Sequence, residues 1–203
     1  MKTTWVAILL VLNAGALHAQ RLEVRLGALA STALVEDLGP NSALARRIPA
    51  DDQGPVRLGL APAPIATVGV VHDLSSHASL ELMGSVAVSK LRAQTRDDEW
   101  DTQDISMAAL TAGVRYQYRP RLYLHAGLGL TRFFSEDTGI FVDGTGMLPL
   151  LELGVSTSIP LRALPLRAGA RIQTHTFGTD ALRRDGASDG RVARLLLQVG
   201  LGG

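Results

Sequence analysis

The chain has 203 residues, with 20 Lys and Arg against 19 Asp and Glu and no cysteine. This near-neutral charge argues against nucleic-acid binding, which needs a basic stripe, and the lack of cysteine excludes disulfides and thiolate metal sites. Although 46% of the residues are hydrophobic, no run of apolar residues is long enough to form a transmembrane helix.

The N-terminal residues have the pattern of a secretory signal. A short basic segment that contains Lys2 precedes an apolar stretch from Trp5 to Ala16, and Ala19 supplies a small residue at the cleavage position. A single anchoring helix is the alternative, but the apolar stretch is short for it. We predict a signal peptide over residues 1–19 and one mature domain over residues 20–203.

Eight segments of the mature chain alternate between an apolar and a more polar face, as strands do when their two sides meet different environments. The second segment is the weakest prediction, because Pro62 and Pro64 lie in its first half and proline suits strand starts, edges or bulges. Its regular part is expected from about Ile65. The eight segments are Arg21–Ala33, Val56–Asp73, Ala78–Leu91, Ala108–Tyr118, Leu122–Phe134, Met147–Ile159, Leu166–Phe177 and Arg191–Leu201.

The connections between these segments alternate between long and short. The long, polar ones are Leu34–Gly54, Arg92–Asp104, Ser135–Gly146 and Gly178–Gly190, and the short ones are Asp73–His77, Arg119–Arg121 and Pro160–Pro165. Bacterial outer-membrane barrels have short periplasmic turns and longer extracellular loops. The alternation therefore predicts an all-β protein, an eight-stranded antiparallel up-and-down transmembrane β-barrel with both termini in the periplasm.

The composition of the two faces predicts which one contacts lipid. One face is almost entirely Leu, Val and Ala through the middle of each strand, where an Arg or Lys facing lipid would cost about 2–4 kcal/mol. The other is rich in glycine and other small residues, which fit the narrow interior of an eight-stranded barrel. We expect interfacial rings at the strand ends, from Tyr116, Tyr118, Phe133 and Phe134. A soluble periplasmic barrel with its apolar face inward, binding a small ligand, is the alternative.

The pattern resembles the small outer-membrane β-barrel families, the OmpA transmembrane domain and the OmpX/Ail-like proteins, over the whole mature chain and in architecture alone. The resemblance implies a monomer in the bacterial outer membrane, without a cofactor. Its partners would be outer-membrane lipid, lipopolysaccharide and the barrel-assembly machinery. The chain ends at Leu201-Gly202-Gly203, whereas such proteins usually end in an aromatic residue that this machinery reads.

Charged residues recur on the predicted inner face. In a narrow lumen they must pair, because an unpaired buried charge is very costly. We predict that they form a charge network that fills the barrel, the alternative being a narrow gated pore in which the pairs exchange partners. The predicted members are Glu23, Arg25, Glu81, Arg115, His125, Glu152, Arg167, Arg171 and Arg194.

Three other patterns have a catalytic or metal-binding alternative. His77-Ala78-Ser79 resembles the His-x-Ser pair of the lipid A deacylase family, in which a His activates a Ser. It lies at a predicted periplasmic turn, however, and that family's site faces the outer leaflet. His175 shares no ligand spacing with a second His. The third pattern is an acidic segment whose carboxylates could bind a divalent cation. Its spacing does not match the EF-hand loop, which favours a solvated surface loop. The acidic residues are Asp97, Asp98, Glu99, Asp101 and Asp104.

We therefore expect a non-enzymatic outer-membrane protein with a structural or surface-interaction role through its long loops. A narrow channel for small solutes, a lipid A-modifying enzyme and the soluble ligand-binding barrel are the alternatives.

Overall fold

The computed structural model describes residues 20–38, 56–96, 98–135, 145–160, 165–178 and 190–202. The predicted signal peptide lies outside these residues. Nothing in this part of the chain is a helix with the length and hydropathy of a membrane span. The strands are β1 (Gln20–Ser31), β2 (Val35–Leu38), β3 (Val56–Leu60), β4 (Ala63–Asp73), β5 (Ala78–Gln94), β6 (Glu99–Arg119), β7 (Leu122–Ser135), β8 (Leu148–Pro160), β9 (Pro165–Phe177) and β10 (Gly190–Gly202).

Eight of these strands form a closed antiparallel ring in the order β1-β4-β5-β6-β7-β8-β9-β10, and β10 pairs back onto β1. Following the paired residues once around the ring from Leu22 leads to Thr32, ten residues further along the chain. This stagger means that the strands tilt against the barrel axis. The predicted eight-stranded antiparallel barrel is confirmed.

The second barrel strand differs from its prediction. It is split into β3 and β4 at Ala61 and Pro62, because proline has no N–H to give to the neighbouring strand. Both pieces pair with β5, and β4 begins at Ala63, slightly before the expected Ile65. β2 pairs with β3, so a part of the predicted loop Leu34–Gly54 is a strand.

The prediction of a charged loop over Arg92–Asp104 is wrong for most of these residues. β5 runs on to Gln94 and β6 begins at Glu99, so the two strands stay paired almost to the tip. On the outer face, Arg92 Nε lies 3.1 Å from Asp101 Oδ1, and such opposite-charge pairs across strands are stabilising. Beyond the apolar belt the outer face of a strand meets water, which gives it the composition of a loop. We call β2, β3, residues 90–94 and residues 99–104 the extension.

The apolar face points outward on the ring strands. Leu26 is 64% exposed, Leu128 67% and Val88 61%, whereas the charged positions of the other face are buried. This is the orientation predicted for contact with lipid, and it is the reverse of that of a soluble barrel. Tyr116, Tyr118 and Phe134 are exposed at the strand ends, but Phe133 is buried. The interfacial position predicted for Phe133 is wrong, because consecutive residues of a strand face opposite sides.

Glycines bring neighbouring strands together where the interior is most crowded. Gly113 and Gly127 are paired across β6 and β7, beside the pair Arg115 and His125. A Cβ atom on Gly113 would lie 2.5 Å from the carbonyl oxygen of Ala126 and 2.8 Å from the Cα of Gly127. No larger residue fits here without moving the backbone.

The interior has a charged half and an apolar half. β1 starts at the short-turn end, beside the end of β4, and runs toward the loop end, so Glu23 and Arg25 lie low in the barrel and Leu29 lies high. The high interior positions form an apolar cluster that continues under the extension. Its members include Leu29, Leu34, Leu58, Ile65, Leu91, Met107, Phe133, Phe177, Val192 and Leu196.

Candidate functional site: the lumen charge network

Glu81, on β5, is the centre of a connected group of buried charges. Its Oε1 atom accepts from Arg25 Nη2 at 2.9 Å and from Arg115 Nη1 at 3.2 Å. Its Oε2 atom lies 2.9 Å from Arg171 Nη2 and 3.0 Å from His125 Nδ1. One carboxylate therefore joins side chains from four other strands.

Two further carboxylates complete the pairing. Glu23 accepts from Arg25 Nε at 3.1 Å through one oxygen and from Arg115 Nη1 at 2.9 Å through the other. Glu152 contacts Arg171 and accepts from Gln173 Nε2 at 2.6 Å. Each of the three arginines thus has two carboxylate partners, which is the arrangement that offsets the desolvation of buried ions.

His125 extends this group to the adjacent strand β8. Its Nδ1 atom contacts Glu81, and its Nε2 atom lies 2.7 Å from the hydroxyl oxygen of Ser156 on β8. Ser156 and Gln173 are members of the group that were not among the predicted site residues. Both lie at inward-facing positions of their strands, so the alternation of inward and outward residues in the sequence could have identified them.

Seven of the nine predicted residues are hydrogen-bonded into this group. We call it the lumen network: Glu23, Arg25, Glu81, Arg115, His125, Glu152 and Arg171. The other two predicted residues differ. Arg167 lies at the margin, with Nη1 3.9 Å from Glu23 Oε2.

Arg194 is in the lumen but apart from the network. Its side chain is fully buried beside Met107, Thr131 and Phe133, and its Nε and Nη2 atoms have no hydrogen-bond partner in the described part of the chain. The reason is its height in the barrel. On β10 it lies level with Ser31, at the loop end of β1, where the inward positions are mostly apolar.

The lumen network leaves little free space between its side chains. The cavity among Arg25, Ser156, Arg167 and Arg171 has a volume of about 10 Å³. A single water needs at least roughly that much space. The space left among these four side chains therefore holds about one water, and the apolar cluster lies above them.

The structure does not pair His77 with Ser79. His77 Nδ1 lies 2.7 Å from the hydroxyl of its neighbour Ser76, and Ser79 donates to Asp73 Oδ1 at 2.7 Å. The hydroxyl and the imidazole of the predicted pair thus have separate partners. His175 lies against the ring of Phe133, at 5.5 Å between ring centroids.

The acidic segment that could have bound a cation faces basic side chains instead. Glu99 and Asp101 both contact Arg92, and the hydrogen bond to Asp101, reinforced by Glu99, raises the pKa of the Arg92 guanidinium. Asp97 lies outside the described residues. Within them, no group of three or more His, Asp or Glu side chains could hold a metal ion.

Comparison with known proteins finds similarity in structure alone. No protein-family model and no curated protein sequence matches the chain. The solid-state NMR structure of the outer-membrane protein AlkL in lipid bilayers has a TM-score of 0.55 at 13% identity, and the match covers 94% of this chain and 93% of that one.

Two further solved structures are OprG of Pseudomonas aeruginosa (TM-score 0.47, 12% identity, 91% of this chain and 96% of that chain) and Ail of Yersinia pestis (0.44, 12%, 91% and 99%). The conclusion about the fold rests on the similarity to AlkL. The chain has the fold of the small outer-membrane β-barrel proteins.

Proposed function

We propose that the mature chain resides in the bacterial outer membrane as a closed barrel and acts at the cell surface through its extension and long loops. The observation that carries this proposal is the filled lumen beneath an ordered extension. A barrel built to conduct would keep its interior open, and a barrel that only anchors the chain would not need paired strands beyond its belt.

The exposed belt supports the location. Large apolar side chains, such as Leu26, Leu128 and Val88, are exposed on the ring strands. Soluble monomers rarely expose contiguous apolar patches of more than a few hundred Å². Lipid would cover this belt, and insertion of the strands would be the task of the barrel-assembly machinery.

The lumen network supports closure. An opening along the axis would have to separate Glu81 from several guanidinium groups that lie within 3.2 Å of it. Hydrogen bonds to charged groups are worth about 1.5–3 kcal/mol each. Breaking several at once would make an open state rare, which disfavours the narrow channel.

The extension supports a role at the surface. Its inner face is apolar and fully buried at Leu38, Leu58, Leu91 and Ala93, and its outer face carries the Arg92 ion pairs described above. Both features hold the sheet rigid, so a partner would meet a preformed surface with little ordering cost. Lipopolysaccharide and macromolecules outside the cell are the proposed contacts. No catalytic role is part of the proposal.

Cysteine labelling tests the location and the orientation, because the chain has no cysteine of its own. Gln94→Cys places a thiol on the exposed side of the extension, and Ser76→Cys places one at an exposed short turn. A membrane-impermeant maleimide applied to intact cells should label Gln94→Cys alone, and both variants after lysis. Labelling of Ser76→Cys on intact cells, or recovery of the protein in the soluble fraction, would contradict the proposal.

Planar-bilayer recording tests the closure. The refolded protein should give no sustained single-channel conductance. Regular conductance steps would favour the narrow channel instead. A gel-shift assay that compares unheated and boiled samples verifies that the recorded protein is a folded barrel.

A further inference from the structure

The lumen opens at its short-turn end into a polar cavity of about 230 Å³. At roughly 30 Å³ per molecule of liquid water, this is space for about eight waters. We call it the mouth cup. The residues that matter for its chemistry are Arg21, Asp73, Ser75, Ser76, Tyr123 and Arg167.

The charges around the mouth cup do not cancel. In the adjoining lumen, Arg25, Arg115, Arg167 and Arg171 face the carboxylates of Glu23, Glu81 and Glu152, which makes four guanidinium groups against three carboxylates. At the rim, Arg21 pairs with Asp73 at 2.6 Å and adds no net charge. Among the described residues, at least one positive charge is therefore in excess.

The excess charge is located on Arg167, in the wall of the mouth cup. Its one carboxylate contact within 4 Å in the described part of the chain is Glu23 Oε2, at 3.9 Å, and this oxygen already accepts from Arg115 at 2.9 Å. The guanidinium lies 4.5 Å from the centre of the Tyr123 ring. The side chain is only 12% exposed, so solvent screens its charge less than that of a surface arginine.

Hydroxyl groups line the same cavity. The Oγ atom of Ser75 accepts from the backbone N–H groups of His77 and Ala78, which leaves its own hydrogen free to donate. Ser76 and Tyr123 also line the cup. A guanidinium with surrounding hydroxyl donors suits a group with several acceptor oxygens.

We propose that the mouth cup binds a phosphate group, with Arg167 as the charged donor. The volume fits inorganic phosphate with a few waters, or the phosphate of a small molecule or a lipid headgroup. Asp73 lies in the same cavity and repels an anion, so it weakens this binding. The proposal concerns the short-turn end alone and does not depend on what the extension contacts.

The test is calorimetric titration of inorganic phosphate into the folded mature protein in octyl glucoside micelles, which contain no phosphate. The wild type should bind saturably. Arg167→Gln should weaken the affinity by about tenfold or more, which corresponds to the loss of a charge-assisted hydrogen bond. Arg119→Gln is the matched control, because Arg119 lies at the same end, over the ring of Tyr118, and its affinity should stay within about twofold of the wild type.

Asp73→Asn is expected to change the phosphate affinity in the opposite direction. Removing the repelling charge from an exposed position should tighten binding, by about threefold. If Arg167→Gln does not fold in the gel-shift assay, this variant decides alone, and an unchanged or weakened affinity overturns the proposal. The proposal also fails if the wild type shows no saturable binding, if Arg167→Gln binds as the wild type does, or if acetate binds as tightly as phosphate.

Phospholipid nanodiscs distinguish the two sources of phosphate. An unchanged affinity for inorganic phosphate in nanodiscs identifies a free anion as the ligand. An affinity reduced relative to micelles identifies a competing lipid headgroup. Either result supports a phosphate site once the micelle experiment has shown one.

Discussion

Replacing Glu81 with glutamine is expected to lower the free energy of unfolding by about 3–5 kcal/mol, the usual cost of removing one partner from a buried ion pair. Glutamine has nearly the same size and shape, so no cavity forms. The change removes one negative charge and turns one acceptor oxygen into an amino group, among side chains that mostly donate.

The contacts of Glu81 give the magnitude. Its two oxygens accept from Arg25, Arg115 and Arg171 at 2.9, 3.2 and 2.9 Å, and contact His125 at 3.0 Å. An amide keeps one acceptor oxygen, so about two of these charge-assisted hydrogen bonds are lost, at about 1.5–3 kcal/mol each. The surrounding arginines would then be opposed by two carboxylates in place of three.

The assay is reversible unfolding by urea in lipid vesicles. Urea is preferable to guanidinium chloride because salt screens charge interactions. Trp100 is the only tryptophan after the predicted signal peptide and reports on the extension, and the gel-shift assay reports on the barrel. Glu99→Gln is the control, since its exposed pair with Arg92 should contribute less than about 1 kcal/mol.

Equal effects of Glu81→Gln and Glu99→Gln would refute this reasoning, because burial would then make no difference to the ion pairs. A second check removes both partners. Arg25→Met added to Glu81→Gln should recover part of the loss, since it leaves Arg115 with Glu23 and Arg171 with Glu152, and a buried charge without a partner costs more than a missing pair. A double variant that loses the sum of the two single effects would mean that they do not interact.

Three further changes test the outer face, the upper lumen and a turn. Leu128→Arg, in the middle of β7 on the lipid side, should destabilise the protein in vesicles by about 2–4 kcal/mol, and a stability equal to that of the wild type would argue that the face does not meet lipid. Arg194→Met should raise the free energy of unfolding in urea, by about 1–3 kcal/mol, because it removes a buried charge that has no carboxylate partner among the described residues; a loss of stability would show that Arg194 has a partner. Arg121 has a φ of 72° after Pro120, so Arg121→Gly should be neutral or stabilising by up to about 1 kcal/mol, whereas Arg119→Gly at the strand end before it should destabilise.

The barrel could be predicted from the sequence because lipid imposes one composition on an entire face. Where Leu, Val and Ala alternate with small or polar residues, as from Leu124 to Leu130, the sequence predicts both the strand and the direction of its faces. The same rule fails where the strands leave the belt. From Arg92 to Gln94 the outer side chains meet water, and the pattern becomes that of a polar loop although the hydrogen-bond ladder continues.

The prediction for the aromatic residues at the end of β7 is wrong at one position. It places both Phe133 and Phe134 at the interface, but the strand period of two requires that only one faces outward. With that rule, Phe133 falls in the same inward set as Met107, its partner across β6 and β7. The apolar cluster at the loop end could then have been predicted from the inward phase of the upper strand halves.

The composition of the predicted lumen residues also limits how their charges can pair. It has five arginines, three glutamates and one histidine, so at least two guanidinium groups must lack a carboxylate of their own. Alternation cannot say which two, because every inward position looks alike in sequence. The strand register identifies the two, because it gives the height of each residue in the barrel. Arg25, Arg115 and Arg171 converge on the carboxylates, whereas Arg167 faces the mouth cup and Arg194 lies beside the apolar cluster. An unpaired charge at an open cavity can be compensated by an anion from solution, whereas the charge of Arg194, which is buried beside Met107 and Phe133, cannot. The same surplus of charge therefore predicts a binding site at one end of the barrel and a cost in stability at the other.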